Sequence, residues 1–140
     1  MHSATTIQMG SHGSSVVEVD NWAGSPATFK AGLCVHLDDD ATISLAASAG
    51  AKIGISLGKS LSDINRVPVV RKGIKIPVLL DTGLEPVIGA QVQISTTTGK
   101  AVASGTAVNA FYSSGKLTAI DEDGAAITDG AAYIDFAGGL

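Results

Sequence analysis

The sequence predicts an all-β fold: an antiparallel sandwich, jelly roll or small barrel-like domain, with a flexible N-terminal arm. Three observations carry that expectation. Ile53, Ile55 and Leu57 alternate with Gly and Ser at the period of a strand, which puts the three apolar side chains on one face. After Ile94 turn dipeptides recur at Thr98-Gly99, Ser114-Gly115, Asp123-Gly124 and Asp129-Gly130, with short β-rich runs between them. No stretch of ten or more residues places its apolar side chains at helical spacing.

In chain order, residues 1–15 are mostly Ser, Thr, Gly and His, with Ile7 and Met9 as isolated apolar anchors. They lack the material for a core of their own and read as the arm. Residues 16–140 read as a single β domain. Its first strand is Val16 to Asp20, ended by the turn cluster Asn21-Trp22-Ala23-Gly24-Ser25-Pro26, where Trp22 is expected to be a rim or interface anchor. Phe29 and then the alternating Leu33, Val35 and Leu37 mark extended pieces that Asp38-Asp39-Asp40 breaks, and Thr42 to Ala47 reads as a further short strand, with Ala46-Ala47-Ser48-Ala49 equally suited to a short helical turn. Ser60 to Asn65 is a polar loop.

The run from Arg66 to Leu80 is expected to turn at Lys72-Gly73. A two-residue loop there would pair Val69 with Ile76 and Val67 with Val78, all on one buried face. Pro68 and Pro77 cannot donate to a ladder, so this hairpin is placed at a sheet edge. Gly89 to Ile94, Val108 to Tyr112, Leu117 to Ile120 and Tyr133 to Phe136 complete the strands.

Charge and cysteine content narrow the function. Nine basic and thirteen acidic residues give a net charge of −4, which argues against sequence-independent binding of nucleic acid. Lys52, Lys59, Arg66, Arg71, Lys72 and Lys75 surround a single acid, Asp63, so one exposed face is expected to be basic. Cys34 is the only cysteine, which excludes an intramolecular disulfide and a cysteine-based metal site. The first residues lack a basic stretch followed by an apolar one, and no apolar run approaches the ~18 residues of a membrane span. The expectation is a soluble protein from a reducing compartment that engages no membrane.

Motifs with chemical meaning fail on context. Gly54-Ile55-Ser56-Leu57-Gly58 matches a nucleophile elbow, but His2, His12 and His36 all precede Ser56, whereas that arrangement needs a histidine after the serine. Gly58-Lys59-Ser60 resembles the end of a phosphate loop, yet Ile53 stands where its first glycine belongs. Asp38-Asp39-Asp40 lacks the alternating acids of a calcium loop, and His36 has no second ligand nearby. No lysine has the flanking residues of a lipoyl-type carrier. No catalytic, cofactor-binding or metal-binding residue is assigned, and the expectation is a protein that is not an enzyme.

The block from Ile53 to Val102 resembles the capsid decoration, or cement, proteins of tailed bacteriophages. The likeness lies in the order Ile53-Gly54-Ile55, a loop, the Val/Ile-rich segment around Lys72-Gly73, then Val87-Ile88-Gly89-Ala90-Gln91-Val92 and the turn at Gly99. The resemblance implies a head-stabilising virion protein, assembled in the host cytoplasm and bound to the outer surface of the capsid, where it bridges subunits of the major capsid protein. It also implies a homo-oligomer, dimer or trimer. The residues expected to meet partners are Ile7, Met9, Trp22, Arg66, Arg71, Lys72 and Lys75. The alternative from another class is a β-sandwich binding module, carbohydrate-binding or adhesin-like.

Overall fold

The computed structural model describes residues 6–10, 17–23, 29–37, 43–45, 52–58 and 66–137, with the backbone alone at positions 17, 18, 21 and 23. Its strands are β1 (Thr6–Gln8), β2 (Val17–Ala23), β3 (Cys34–Leu37), β4 (Ile43–Leu45), β5 (Ile53–Ser56), β6 (Arg66–Leu79), β7 (Gln91–Ile94), β8 (Ala101–Val102), β9 (Thr106–Tyr112), β10 (Leu117–Ile120) and β11 (Ala126–Phe136). No helix occurs among the described residues. The fold is all-β, with a many-stranded and mainly antiparallel sheet that does not close into a barrel, in keeping with a sandwich.

Two long strands form its spine, and each is shared along its length. On one edge β6 pairs with β2 from Arg66 to Gly73; on the other it meets β5 at Val69 and Val70 and then β11 from Gly73 to Leu79. β11 takes β10 between Ala126 and Ala131, and β9 from Ile134 to Phe136, on the edge away from β6. The sheet coils so that its wings face each other. Cys34, Ile53 and Ile55 of one wing share a core with Val92, Ile94, Val108 and Ala110 of the other. The Cys34 N–H donates to the Gly99 carbonyl at 2.9 Å, where β3 meets the turn between β7 and β8.

The hairpin expected at Lys72-Gly73 is not formed, because β6 runs through it as one strand of 14 residues. Each half of β6 finds a separate ladder, and Gly73 is the Cα partner of both Val17 and Phe136. Folding the halves onto each other would forfeit both ladders. The four residues expected on one face are therefore split. Val67 and Val69 enter a second core with Trp22 and Val35, while Ile76 and Val78 join the first. Along one continuous strand odd and even positions face opposite ways, so Val67 and Val69 lie on one side and Val70, Ile76 and Val78 on the other. The register shift that leaves Arg71 without a Cα partner in β2 is offset by a second one opposite Ile134 and Phe136.

The prolines lie in an interior strand, not at an edge, and the ladder accommodates both. The Pro68 carbonyl accepts from the Leu57 N–H at 2.8 Å, just past the end of β5, so the missing donor falls where that pairing stops. Pro77 faces Tyr133, whose N–H and C=O both point the other way, to Ser114 Oγ and the Ser113 N–H at 2.9 Å each. This is a position of the ladder that needs no donor. Asp129-Gly130, expected as a turn, is instead a bulge inside β11, between the pairs Leu117–Ala131 and Ala119–Ile127. Gly130 adopts φ 72°, the left-handed region, and a Cβ there would lie 2.6 Å from the Leu117 carbonyl oxygen.

Of the expected arm, residues 6–10 are described, and they form and follow a strand. β1 lies parallel to β10, with Ile7 opposite Ala119, and Ile7 and Met9 are buried in a third core with Ala31, Ala119 and Ala131. A segment too polar to build a core still supplies two apolar side chains to a core made by others. The rest of the arm, Asp38 to Asp40, and Ser60 to Asn65 lie outside the described residues.

Candidate functional site

Of the residues expected to meet partners, Ile7, Met9 and Trp22 are buried in the chain's own cores. β2 sets Trp22 opposite Val67, and the indole is only 6% exposed. Arg71 covers it, with the guanidinium carbon 5.3 Å from the ring centroid. The same side chain donates through Nε to the Ile53 carbonyl at 3.0 Å and through Nη1 to Asp20 Oδ2 at 3.2 Å. Arg71 thus bridges β2, β5 and β6, and its charge is engaged within the fold.

Arg66, Lys72 and Lys75 are exposed, but they do not flank a hairpin tip. They are strung along one strand over about 30 Å. Lys75 has φ 55°, its N–H donates to Asp135 Oδ1 at 3.2 Å, and its ammonium lies 5.8 Å from the centre of the Tyr133 ring.

Other polar groups weighed from the sequence are also engaged. Ser56 is buried; its hydroxyl donates to the Lys30 carbonyl and accepts from the Leu33 N–H at 3.2 Å, fastening the turn before β3 to β5. That role accounts for a serine at the centre of the elbow-like pattern. His36 donates from Nδ1 to the Leu45 carbonyl at 2.9 Å and has Ser44 Oγ 3.1 Å from Nε2, so it ties β3 to β4. Burial pushes the Cys34 thiol up to about 12 and also raises Tyr112, whose hydroxyl finds no hydrogen-bond partner among the described residues. No cluster of three or more metal-ligating side chains occurs among the described residues.

A cleft of about 310 Å³ lies beside β1. Lys30, Lys100, Asp121 and Glu122 line it together with Met9, Leu33, Leu79 and Ile127. Its carboxylates act as staples. Glu122 Oε1 accepts from the Ala31 N–H at 2.8 Å. The Glu122 carboxylate rests over Gly58, where an added Cβ would come within 2.4 Å of it. Asp121 Oδ1 accepts from the Ala125 and Asp123 N–H groups at 2.9 and 2.8 Å, and these bonds hold its carboxyl below the usual range.

Besides Val19 and Ile74, which are exposed on β2 and β6, the exposed large apolar residues among those described lie at and beside the turn between β6 and β7. The Ala90 N–H donates to the Val87 carbonyl at 3.0 Å, closing a turn in which Gly89 takes φ 88°. The Gly89 N–H donates to the Tyr112 carbonyl at 2.8 Å, and the Tyr112 N–H donates back to Ala90 at 3.0 Å, fastening the turn to β9. Val87 and Ile88 at its tip are 68% and 69% exposed. Beside them on β9 is Phe111, 46% exposed, opposite Gln91 on β7 and Asp135 on β11.

The chain matches no protein-family model, no curated protein and no solved structure.

The site therefore rests on its own geometry. It consists of two aliphatic side chains on a backbone-fastened turn with an outward-facing aromatic at its flank. Sequence reading missed it because Gly83 to Val92 has the glycine-and-valine rhythm of strand, turn and strand, which does not show which of its apolar side chains stay exposed. The available signal was Gly89, which suits the third position of a turn starting at Val87.

Proposed function

We propose that the protein is a structural virion protein that binds the outside of a phage head and stabilises it by bridging subunits of the major capsid protein. The observation that supports this most is the fastened turn that holds Val87 and Ile88 in solvent next to Phe111. Apolar side chains exposed as a group mark interaction surfaces. A turn held by its own hydrogen bonds loses little conformational freedom on docking, which favours affinity. The alternative sugar-binding reading needs exposed aromatic platforms. Among the described residues Trp22, Tyr112 and Phe136 are buried, Phe29 packs against the second core and Lys75 lies over Tyr133, which leaves Phe111 alone.

Binding of this kind acts by mass action. A protein that engages only the assembled shell lowers its free energy by about 2.7 kcal/mol per site at a hundred times the dissociation constant. The test is to strip the protein from particles, add it back, and follow heat-induced rupture of the shell. Restored heat resistance is the expected result; shells equally heat-resistant without the protein contradict the proposal.

A further inference from the structure

We propose that the socket holding β1 also accepts β1 from a second copy of this chain, so that copies exchange N-terminal strands. The inference stands apart from the virion reading. β1 is a self-contained ligand whose described partners are all remote in sequence. Among the described strands it pairs with β10, in parallel register, with the Met9 N–H donating to the Ile120 carbonyl at 2.9 Å and Gln8 Nε2 to the Asp121 carbonyl at 2.7 Å. Ile7 and Met9 fill a socket whose floor is Ala31, Ala119 and Ala131, small residues that leave room for two larger side chains. A second copy presents the same atoms. The connector to β2 is Ser-His-Gly-Ser-Ser-Val, with no apolar run of its own.

Because the contacts are identical in the closed and exchanged forms, the balance between them is the protein concentration divided by the effective concentration of the tethered strand. For a short connector that effective concentration is on the order of millimolar. Exchange then involves about one molecule in a hundred at ~10 μM and about half at ~1 mM, and neighbours held side by side favour it further.

The register supplies the test. Thr6 and Thr118 are exposed Cα partners. Adjacent strands lie about 4.8 Å apart, within reach of a disulfide. Full-length Thr6→Cys protein is mixed with a size-tagged, full-length Thr118→Cys protein under mild oxidation; buried Cys34 does not compete. The expected product is a mixed disulfide dimer whose yield rises with concentration and falls at least tenfold when Ile7→Asp is added to the Thr6→Cys chain. A control chain carrying both cysteines reports whether β1 docks at all. If that control closes within one chain and the mixture gives no mixed dimer at ~1 mM, exchange is refuted. It is equally refuted if the control fails to close, or if Ile7→Asp leaves the mixed dimer unchanged.

Discussion

The Trp22–Arg71 edge and the Val87–Ile88 turn both look like docking features, and they differ in what their side chains still have to offer. At the edge, an aromatic and a cation satisfy each other. The indole fills the second core, and the guanidinium lies over it, holding the Ile53 carbonyl and the Asp20 carboxylate. At the turn, the backbone is satisfied and the side chains are not. Residue type alone is therefore a poor guide to a docking surface. What counts is which groups the fold has already engaged.

Substitutions that separate stability from binding sharpen this contrast. Trp22→Ala should have the largest effect, a loss of roughly 3–5 kcal/mol in stability measured by denaturant unfolding, as expected for a truncated core aromatic. A loss below about 1 kcal/mol would mean that the edge is not core. Arg71→Ala should cost roughly 1–2 kcal/mol through the lost carbonyl bond and ring contact, with little from the exposed Asp20 pair. Arg71→Lys should not restore it, because an ammonium cannot both span the ring and reach the Ile53 carbonyl. By contrast, the double change Val87→Ser, Ile88→Ser should leave stability within about 0.5 kcal/mol, since nothing buried is removed.

Two titrating groups probe the same question away from these surfaces. Asp121 is held below its ordinary value by backbone N–H bonds from Ala125 and Asp123. Its contribution is complete above the unfolded carboxylate value, about 3.9, and is lost as pH falls through the lower folded value. Acid unfolding of Asp121→Asn should accordingly lack that part of the pH dependence, and an unchanged acid profile would contradict it. Cys34 works in the opposite direction. Its thiol is pushed up to about 12 by burial, while an unfolded cysteine ionises near 8.5. Stability should therefore fall as pH rises from about 8.5 towards 12, and a thiol reagent at pH 8 should label the folded protein far more slowly than the unfolded one. Equal labelling rates would place Cys34 at the surface.

Much of the fold was legible wherever alternation and turn residues agreed. Leu117–Ile120 was read with the bounds the structure shows, because a Gly-containing turn stands on each side of it. The errors came where the answer depends on partners far along the chain. Whether Arg66 to Leu79 is one strand or a hairpin is decided by β2 and β11, and no residue near Lys72-Gly73 announces them. Asp129-Gly130 has turn chemistry, and the positive φ at Gly130 is real, but β10 and β6 hold the strand on either side and make it a bulge. The candidate site was less legible than the fold. Val87 and Ile88 have the composition of a buried strand, and only the backbone bonds to Tyr112 turn them outward.

The most direct test of the central claim, that the turn and not the Arg71 edge carries binding to the shell, compares three proteins added back to stripped particles. These are the wild type, the Val87→Ser, Ile88→Ser variant, and Arg66→Ala, Lys72→Ala, which removes exposed charge without touching Trp22. The measurement is the temperature of shell rupture at low and high salt. Wild type and the charge variant should restore heat resistance at both salt concentrations, while the turn variant, equally well folded, should not. Full protection by the turn variant, or loss of protection with the charge variant alone, would contradict the account.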